Sequence, residues 1–159
     1  MNGPKLSGAE HRTLLKQWIP YFQISKLISK GGTGPVRMLM VSAPDCRYCV
    51  QAERALDGAK IRYAIIPSYL DAQNRSIVRN IYCSPNNAVA WTQVMQQRKL
   101  PPNRSCAAYD ETHFRALRSI IYSATPAYMF PDGDVFTGGA NPVRLNAKIK
   151  QMEQQGLQF

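Results

Sequence analysis

Cys46 and Cys49, in Asp45-Cys46-Arg47-Tyr48-Cys49, are the pair whose type and spacing best suit covalent chemistry. Thiols two residues apart can close into a disulfide and reopen, or can hold a soft metal. Their setting argues for redox work. Met38-Leu39-Met40-Val41 is an apolar run, and Val50 to Leu56 is a good helix former, so a strand hands over to a helix at the pair. A helix begins with unpaired N–H groups and a partial positive charge. A thiolate at Cys46 would lie against that charge, and each unit of lowered pKa is about 1.4 kcal/mol of preference for the ionised form. Cys49, one turn on and expected to be more buried, is placed to close back on Cys46.

Cys83 and Cys106 are left for each other. Zinc would want a second knuckle, and neither His11 nor His113 lies beside the other cysteines. Two disulfides in an oxidising compartment is the simpler account. The rest of the composition is that of an ordinary globular protein: 159 residues suit one core, with 45% hydrophobic and 19% charged residues. No stretch approaches the roughly 20 apolar residues of a membrane span. Met1 to Gly8 lacks the apolar segment of a signal peptide, so an exported protein would have lost it. The net charge of +10 raises nucleic acid, an anionic surface or acidic clients as partners. Lysines and arginines are scattered, without interleaved aromatics, which favours a solvated basic surface and no nucleic acid.

The elements that must position the pair follow from periodicity and breakers. Residues 9–29 read as a helix kinked at Pro20, with Leu14, Leu15, Trp18, Phe22, Leu27 and Ile28 inward. Gly31 to Pro35 breaks the chain. Residues 36–43 read as a buried strand, a helix runs from Cys46 to about Gly58, and 61–67 forms a parallel partner strand. Residues 73–97 are helical in two pieces split at Ser84-Pro85-Asn86-Asn87, which can cap the second. Asp110 can cap a helix from Glu111 to about Tyr122. Pro131-Asp132-Gly133 turns a hairpin, and Asn141-Pro142 opens a last helix with Leu145, Ile149 and Met152 on one face.

A Cys-x-x-Cys at a helix start, followed much later by Thr125-Pro126, a hairpin and a final helix, resembles the thioredoxin fold. In that family the proline is cis and faces the dithiol, exposing backbone to which an extended peptide can pair. Further landmarks narrow the match: Ile81-Tyr82-Cys83, Ala90-Trp91-Thr92-Gln93-Val94-Met95, Cys106, His113 to Leu117, Ala124 to Ala127, and Phe130-Pro131-Asp132-Gly133 with Gly138-Gly139. Together they resemble the catalytic domain of the bacterial DsbC/DsbG disulfide isomerases over about residues 33–153. The fold class implied is α/β and thioredoxin-like: a central mixed sheet flanked by helices, with a helical insertion between the first βαβ unit and the C-terminal hairpin and helix. The domain division expected is 1–32 as a helical segment or linker and 33–159 as the thioredoxin-like domain, with the insertion at about 73–122.

The resemblance implies a protein thiol–disulfide oxidoreductase of the isomerase or reductase kind. Cys46 is the nucleophile and Cys49 resolves. Arg47, Tyr48, Thr125 and Pro126 line the client groove, and Cys83–Cys106 is a structural disulfide within the insertion. No metal or other cofactor is called for. Partners implied are disulfide-bonded client proteins and a membrane electron donor of the DsbD type, in the periplasm. Two departures stand out. Arg47 occupies the place where DsbC has glycine, adding a cation beside Cys46 that favours thiolate and acidic clients. About 35 residues precede the first expected strand, too few for the family's dimerisation domain, so a monomer is expected unless that domain is missing. Short relatives of this kind serve conjugation or secretion machinery. Thioredoxin keeps a buried acid beneath its resolving cysteine; the strand 36–43 carries none, so no general base is named. The competing readings are a monomeric disulfide oxidase or reductase serving a conjugation or secretion system, a non-catalytic thioredoxin-fold binding protein and a metal chaperone.

Overall fold

Met38–Ser42 (β2) has no exposed face, since all five of its residues are buried. A strand of this kind must lie at the centre of a sheet, covered on both sides. The computed structural model, which describes residues 7–122 and 124–159, places it there. Tyr63–Pro67 (β3) pairs with β2 in parallel, with Leu39 opposite Ala64 and Ser42 opposite Pro67. Ala127–Met129 (β4) pairs with the other side of β2 antiparallel, with Val41 opposite Ala127. Val135–Thr137 (β5) completes the hairpin, and Ile28–Lys30 (β1) runs antiparallel along β3. The order is β1-β3-β2-β4-β5. This is the expected thioredoxin-like mixed sheet.

The chain before residue 31 departs from the single kinked helix of the sequence reading. The first helix, Gly8–Trp18 (α1), is opened by a reciprocal pair between Ser7 and Glu10. It ends ahead of Pro20, two 3-10 turns follow, and Gln23 between them is left-handed at φ 50°. Phe22, Leu27 and Ile28 are buried as expected, but through those turns and β1; Trp18 is exposed. The reason is pairing. An edge of β3 was free to accept a short strand, and Ile28 fills it opposite Ile65. Thus β1 lies on the N-terminal side of the expected boundary at 32/33 and is hydrogen-bonded into the sheet. Gly31 makes the exit possible: at φ 90° it passes so close to the Ile61 carbonyl that a Cβ would collide with it. Met1 to Leu6, at the start of the expected N-terminal segment, and Ser123, next to the Thr-Pro pair, lie outside the described residues.

Arg47–Gly58 (α2) connects β2 to β3. The insertion consists of Arg75–Tyr82 (α3), Asn87–Gln97 (α4) and Glu111–Ile121 (α5). Its caps fall where the sequence puts them: Asn86 accepts from the Val89 N–H and Asp110 from the His113 N–H. Cys83, directly after α3, is joined to Cys106 in the loop before α5. The same two segments are held by Asn80, which accepts from the Arg104 N–H, and by Arg79, which donates to the Arg104 carbonyl. Tyr82, Tyr109 and Phe114 pack their rings beside this link. Pro142–Gln154 (α6) buries Leu145, Ile149 and Met152, and its Lys148 reaches Asp132 and Asp134 of the hairpin turn.

The Cys83–Cys106 bond closes a loop of sequence separation 23. Loop-closure entropy for such a ring amounts to about 3 kcal/mol. Replacing both cysteines by alanine should lower the unfolding free energy in urea by about that amount, with the far-ultraviolet circular dichroism of the native state unchanged.

Candidate functional site

Cys46 leaves β2 through Ala43 and Pro44 and becomes the N-cap of α2, with extended backbone at φ −107°. Its Sγ accepts from the Cys49 N–H at 3.2 Å. A first-turn N–H thus points at the sulfur, the contact that favours a thiolate there. The pair is closed as a disulfide. Cys49 is fully buried and Cys46 nearly so, while Arg47 and Tyr48 project outward, Tyr48 with 64% of its surface exposed. Of the two cysteines, Cys46 alone keeps exposed surface, 3% against none for Cys49.

The Thr125–Pro126 peptide is cis. Its position relative to the disulfide follows from register. Ala127 lies opposite Val41, so Pro126 reaches the level of Ser42, at the end of β2 from which the chain runs on to Cys46. Cys46, Cys49, Arg47, Tyr48, Thr125 and Pro126 therefore gather at one end of the sheet. Cys83 and Cys106 form their separate link in the insertion. Asp45 faces sideways: its carboxylate accepts from the Leu70 and Asp71 N–H groups at 3.0 and 2.7 Å and from the Asn74 side chain at 3.0 Å. Arg98 donates to the Pro44 carbonyl at 2.7 Å. The residues just before Cys46 are thus fastened to two parts of the insertion.

No protein-family model matches the chain. A probable thiol:disulfide interchange protein DsbC of Bordetella parapertussis is 28% identical over 120 residues, covering 74% of this chain and 43% of that protein; the Bordetella pertussis counterpart is 27% identical over the same shares. The chain thus spans less than half the length of the curated relatives it matches. Among solved structures, a disulfide interchange protein of Neisseria gonorrhoeae superposes with a TM-score of 0.65 at 21% identity, covering 81% of this chain and 96% of that one. The thiol-disulfide exchange protein α-DsbA2 of Wolbachia pipientis superposes at 0.61 and 12% identity, covering 94% of this chain and all of that one. This chain is thioredoxin-like and similar to the DsbC-type thiol:disulfide interchange proteins.

Strand β2 carries no acid, but α2 buries one a turn beyond Cys49, and sequence reasoning missed it. Glu53 is fully buried one turn beyond Cys49. Cys49, Ala52, Glu53 and Leu56 are the buried residues of α2, at the i, i+3, i+4 and i+7 positions of one stripe. That periodicity was the available signal: the cysteine and two apolar residues already fixed position 53 as inward. The Glu53 carboxylate accepts from Ser42 Oγ at 2.6 Å, from Trp91 Nε1 at 2.9 Å and from Lys30 Nζ at 3.1 Å. Burial pushes its pKa up; the Lys30 charge and the hydrogen bonds from Ser42, Trp91 and Lys30 pull the other way, and the net shift is upward. Lys30 also meets Asp57 at 3.0 Å and Thr92 at 2.9 Å. Among the described residues no group of three or more His, Cys, Asp or Glu side chains is arranged to hold a metal ion, and no helix is long and apolar enough to cross a membrane.

Glu53 binds its proton more tightly folded than unfolded. Its contribution to stability is therefore fully present below the ordinary carboxyl value of 4.5 and is lost as pH rises through the folded pKa. The urea midpoint of the wild type should fall relative to Glu53→Gln as pH rises above that value. Lys30→Met removes the cation from a buried carboxylate and should cost about 3 kcal/mol near neutral pH. Lys30→Met/Glu53→Gln should recover most of that loss.

Proposed function

We propose that this chain is a thiol–disulfide oxidoreductase acting on protein disulfides, as an isomerase or reductase of the DsbC type. The observation that carries the reading is the closed Cys46–Cys49 pair at the head of α2, level with cis-Pro126 at the same end of the sheet. In the reduced protein the Cys46 thiolate attacks one sulfur of a client disulfide. A Cys46–client bond forms, the client S–S bond breaks, and the second client sulfur leaves as thiolate. Cys49 then attacks the Cys46 sulfur, re-forming the Cys46–Cys49 disulfide and releasing the first client thiolate. Two electrons have passed from the dithiol to the client. Where a client thiol resolves the intermediate instead, the client is isomerised and the dithiol is regenerated.

Cys49 must lose a proton before it attacks, and it is fully buried. Glu53, the buried carboxyl one turn on, is our candidate to take that proton, with Ser42 able to turn from donor to acceptor as the carboxyl protonates. Thr125 and Pro126 offer backbone to an extended client, and Tyr48 and Arg47 edge the same opening. The curated relatives carry names of interchange proteins, which supports disulfide-bonded clients; a periplasmic setting and re-reduction by a membrane donor of the DsbD type belong to our reading through the resemblance to the DsbC/DsbG isomerases.

Cys46→Ser should reduce insulin reduction and scrambled-ribonuclease refolding by at least about a hundredfold, because no other thiol can replace the nucleophile. Cys49→Ala should instead accumulate a mixed disulfide with the client, seen as a mass adduct that reductant removes. Cys46→Ser activity equal to wild type would overturn the reading.

A further inference from the structure

At the end of the sheet that carries the dithiol lies a cavity of about 430 Å³ that the exchange steps do not use. One wall is the loop that follows β3, with Tyr69 and Leu70; the other is α5, with Phe114, Arg115 and Arg118. Pro67, which lines the cavity, pairs with Ser42 at the end of β2 from which the chain runs on to Cys46. Asp45, the residue before Cys46, accepts from the Leu70 N–H at 3.0 Å and so holds the near wall against the dithiol. The far wall is tied to the near one through Tyr69. The Tyr69 hydroxyl donates to Glu111 and accepts from Arg115 at 3.1 Å, and Arg118 donates to the Tyr69 carbonyl at 3.0 Å.

The lining is apolar at its floor and basic at its rim. Leu70 leaves 53% of its surface exposed beside the buried Phe114 ring. Glu111 is the acid among the lining residues. Burial works against its ionisation, but hydrogen bonds from Tyr69 and Arg75 outweigh burial and hold its pKa below the usual range. That negative charge is already matched: Arg75 meets it at 2.6 Å and Arg115 at 2.6 Å. Arg115 and Arg118 line the cavity with Glu111, and Arg75 pairs with that carboxylate from outside the lining, so the rim is net cationic, on a chain whose formal charge is +10. An apolar floor, a cationic rim and a wall bonded to the residue before Cys46 describe a subsite for part of a client chain.

We propose that this cavity is a specificity subsite for an acidic residue of the client, a few positions along an extended segment from the cysteine that Cys46 attacks. The inference rests on the exchange reading above and names the client class for that site. Recognition comes from the Arg115 guanidinium, whose side chain is 65% exposed, and from the apolar contact of the client backbone with Leu70.

The test uses the full reduced chain and disulfide-closed fluorescent peptides identical except for one residue near the cystine, which is Glu, Gln or Lys. The Glu peptide should be reduced with a kcat/KM about three- to fivefold above the Gln peptide, the size of one exposed charge contact, and the Lys peptide should be slower than both. The preference should shrink in about 0.5 M salt. Arg115→Gln should bring the Glu-to-Gln ratio close to one, and Arg115→Lys, which keeps the charge, should restore most of it. Turnover of the three peptides at equal rates by the wild type, or a ratio unchanged in Arg115→Gln, overturns the subsite and leaves the exchange function standing. Turnover of none of them overturns the exchange function and the subsite with it.

Discussion

A single buried carboxylate holds together the parts of this molecule that meet around the dithiol. Glu53 belongs to α2, the helix that begins at Cys46; its partners Lys30, Ser42 and Trp91 belong to β1, β2 and α4. Four elements from distant parts of the chain thus converge on two oxygen atoms. A carboxylate taken out of water is costly unless each oxygen is satisfied and a cation is near. The fold meets both conditions, but only when all four elements are in place. The helix that presents the cysteines therefore cannot rotate or slide without breaking bonds in the insertion and along the sheet edge. Positioning of the redox pair and integrity of the core are the same constraint.

This explains why the N-terminal strand matters more than its three residues suggest. Lys30 is the last residue of β1, and its ammonium reaches Glu53 and Asp57 together. Without β1 the edge of β3 would be open and Glu53 would lack its cation. Asp57 in turn accepts from the Tyr63 hydroxyl at 2.9 Å, so the ion pairs continue along the helix into β3. The network grades from fully buried at Glu53 to partly exposed at Asp57. Charge inside the protein is thereby connected to solvent through Lys30 and Asp57, which line a cavity of about 630 Å³.

How much of this could be read beforehand depends on whether the signal was local. The dithiol, the caps at Asn86, Asp110 and Asn141, the break at Ser84 to Asn87 and the hairpin turn at Pro131 to Gly133 are set by neighbours within a few residues, and each was legible. The short β1 was not. Three residues, Ile28-Ser29-Lys30, carry no alternation long enough to separate strand from helix, and their pairing partner lies more than thirty positions away. Glu53 and Lys30 were illegible for a different reason. Charged residues are read as solvent-facing by default, and only the partner from another element makes burial tolerable. Position 53 could have been flagged by the stripe through Cys49, Ala52 and Leu56, but its cation could not.

The insertion then takes on a role that its helical composition alone does not disclose. Asp45 spends its carboxylate on the backbone of residues 70 and 71 rather than on a cation, although it stands beside Arg47 and next to a cysteine. Orienting a carboxylate toward N–H donors holds its negative charge in place. The same bonds fix the loop after β3, and through Tyr69 that loop is fixed to α5. The Cys83–Cys106 link anchors the segment leading into α5 to the end of α3. A client segment lying across Leu70 would thus meet a wall braced at both ends, one end at the motif and the other at the insertion. Rigid walls lose little conformational entropy when they bind, so even a modest charge contact there can be expressed as selectivity.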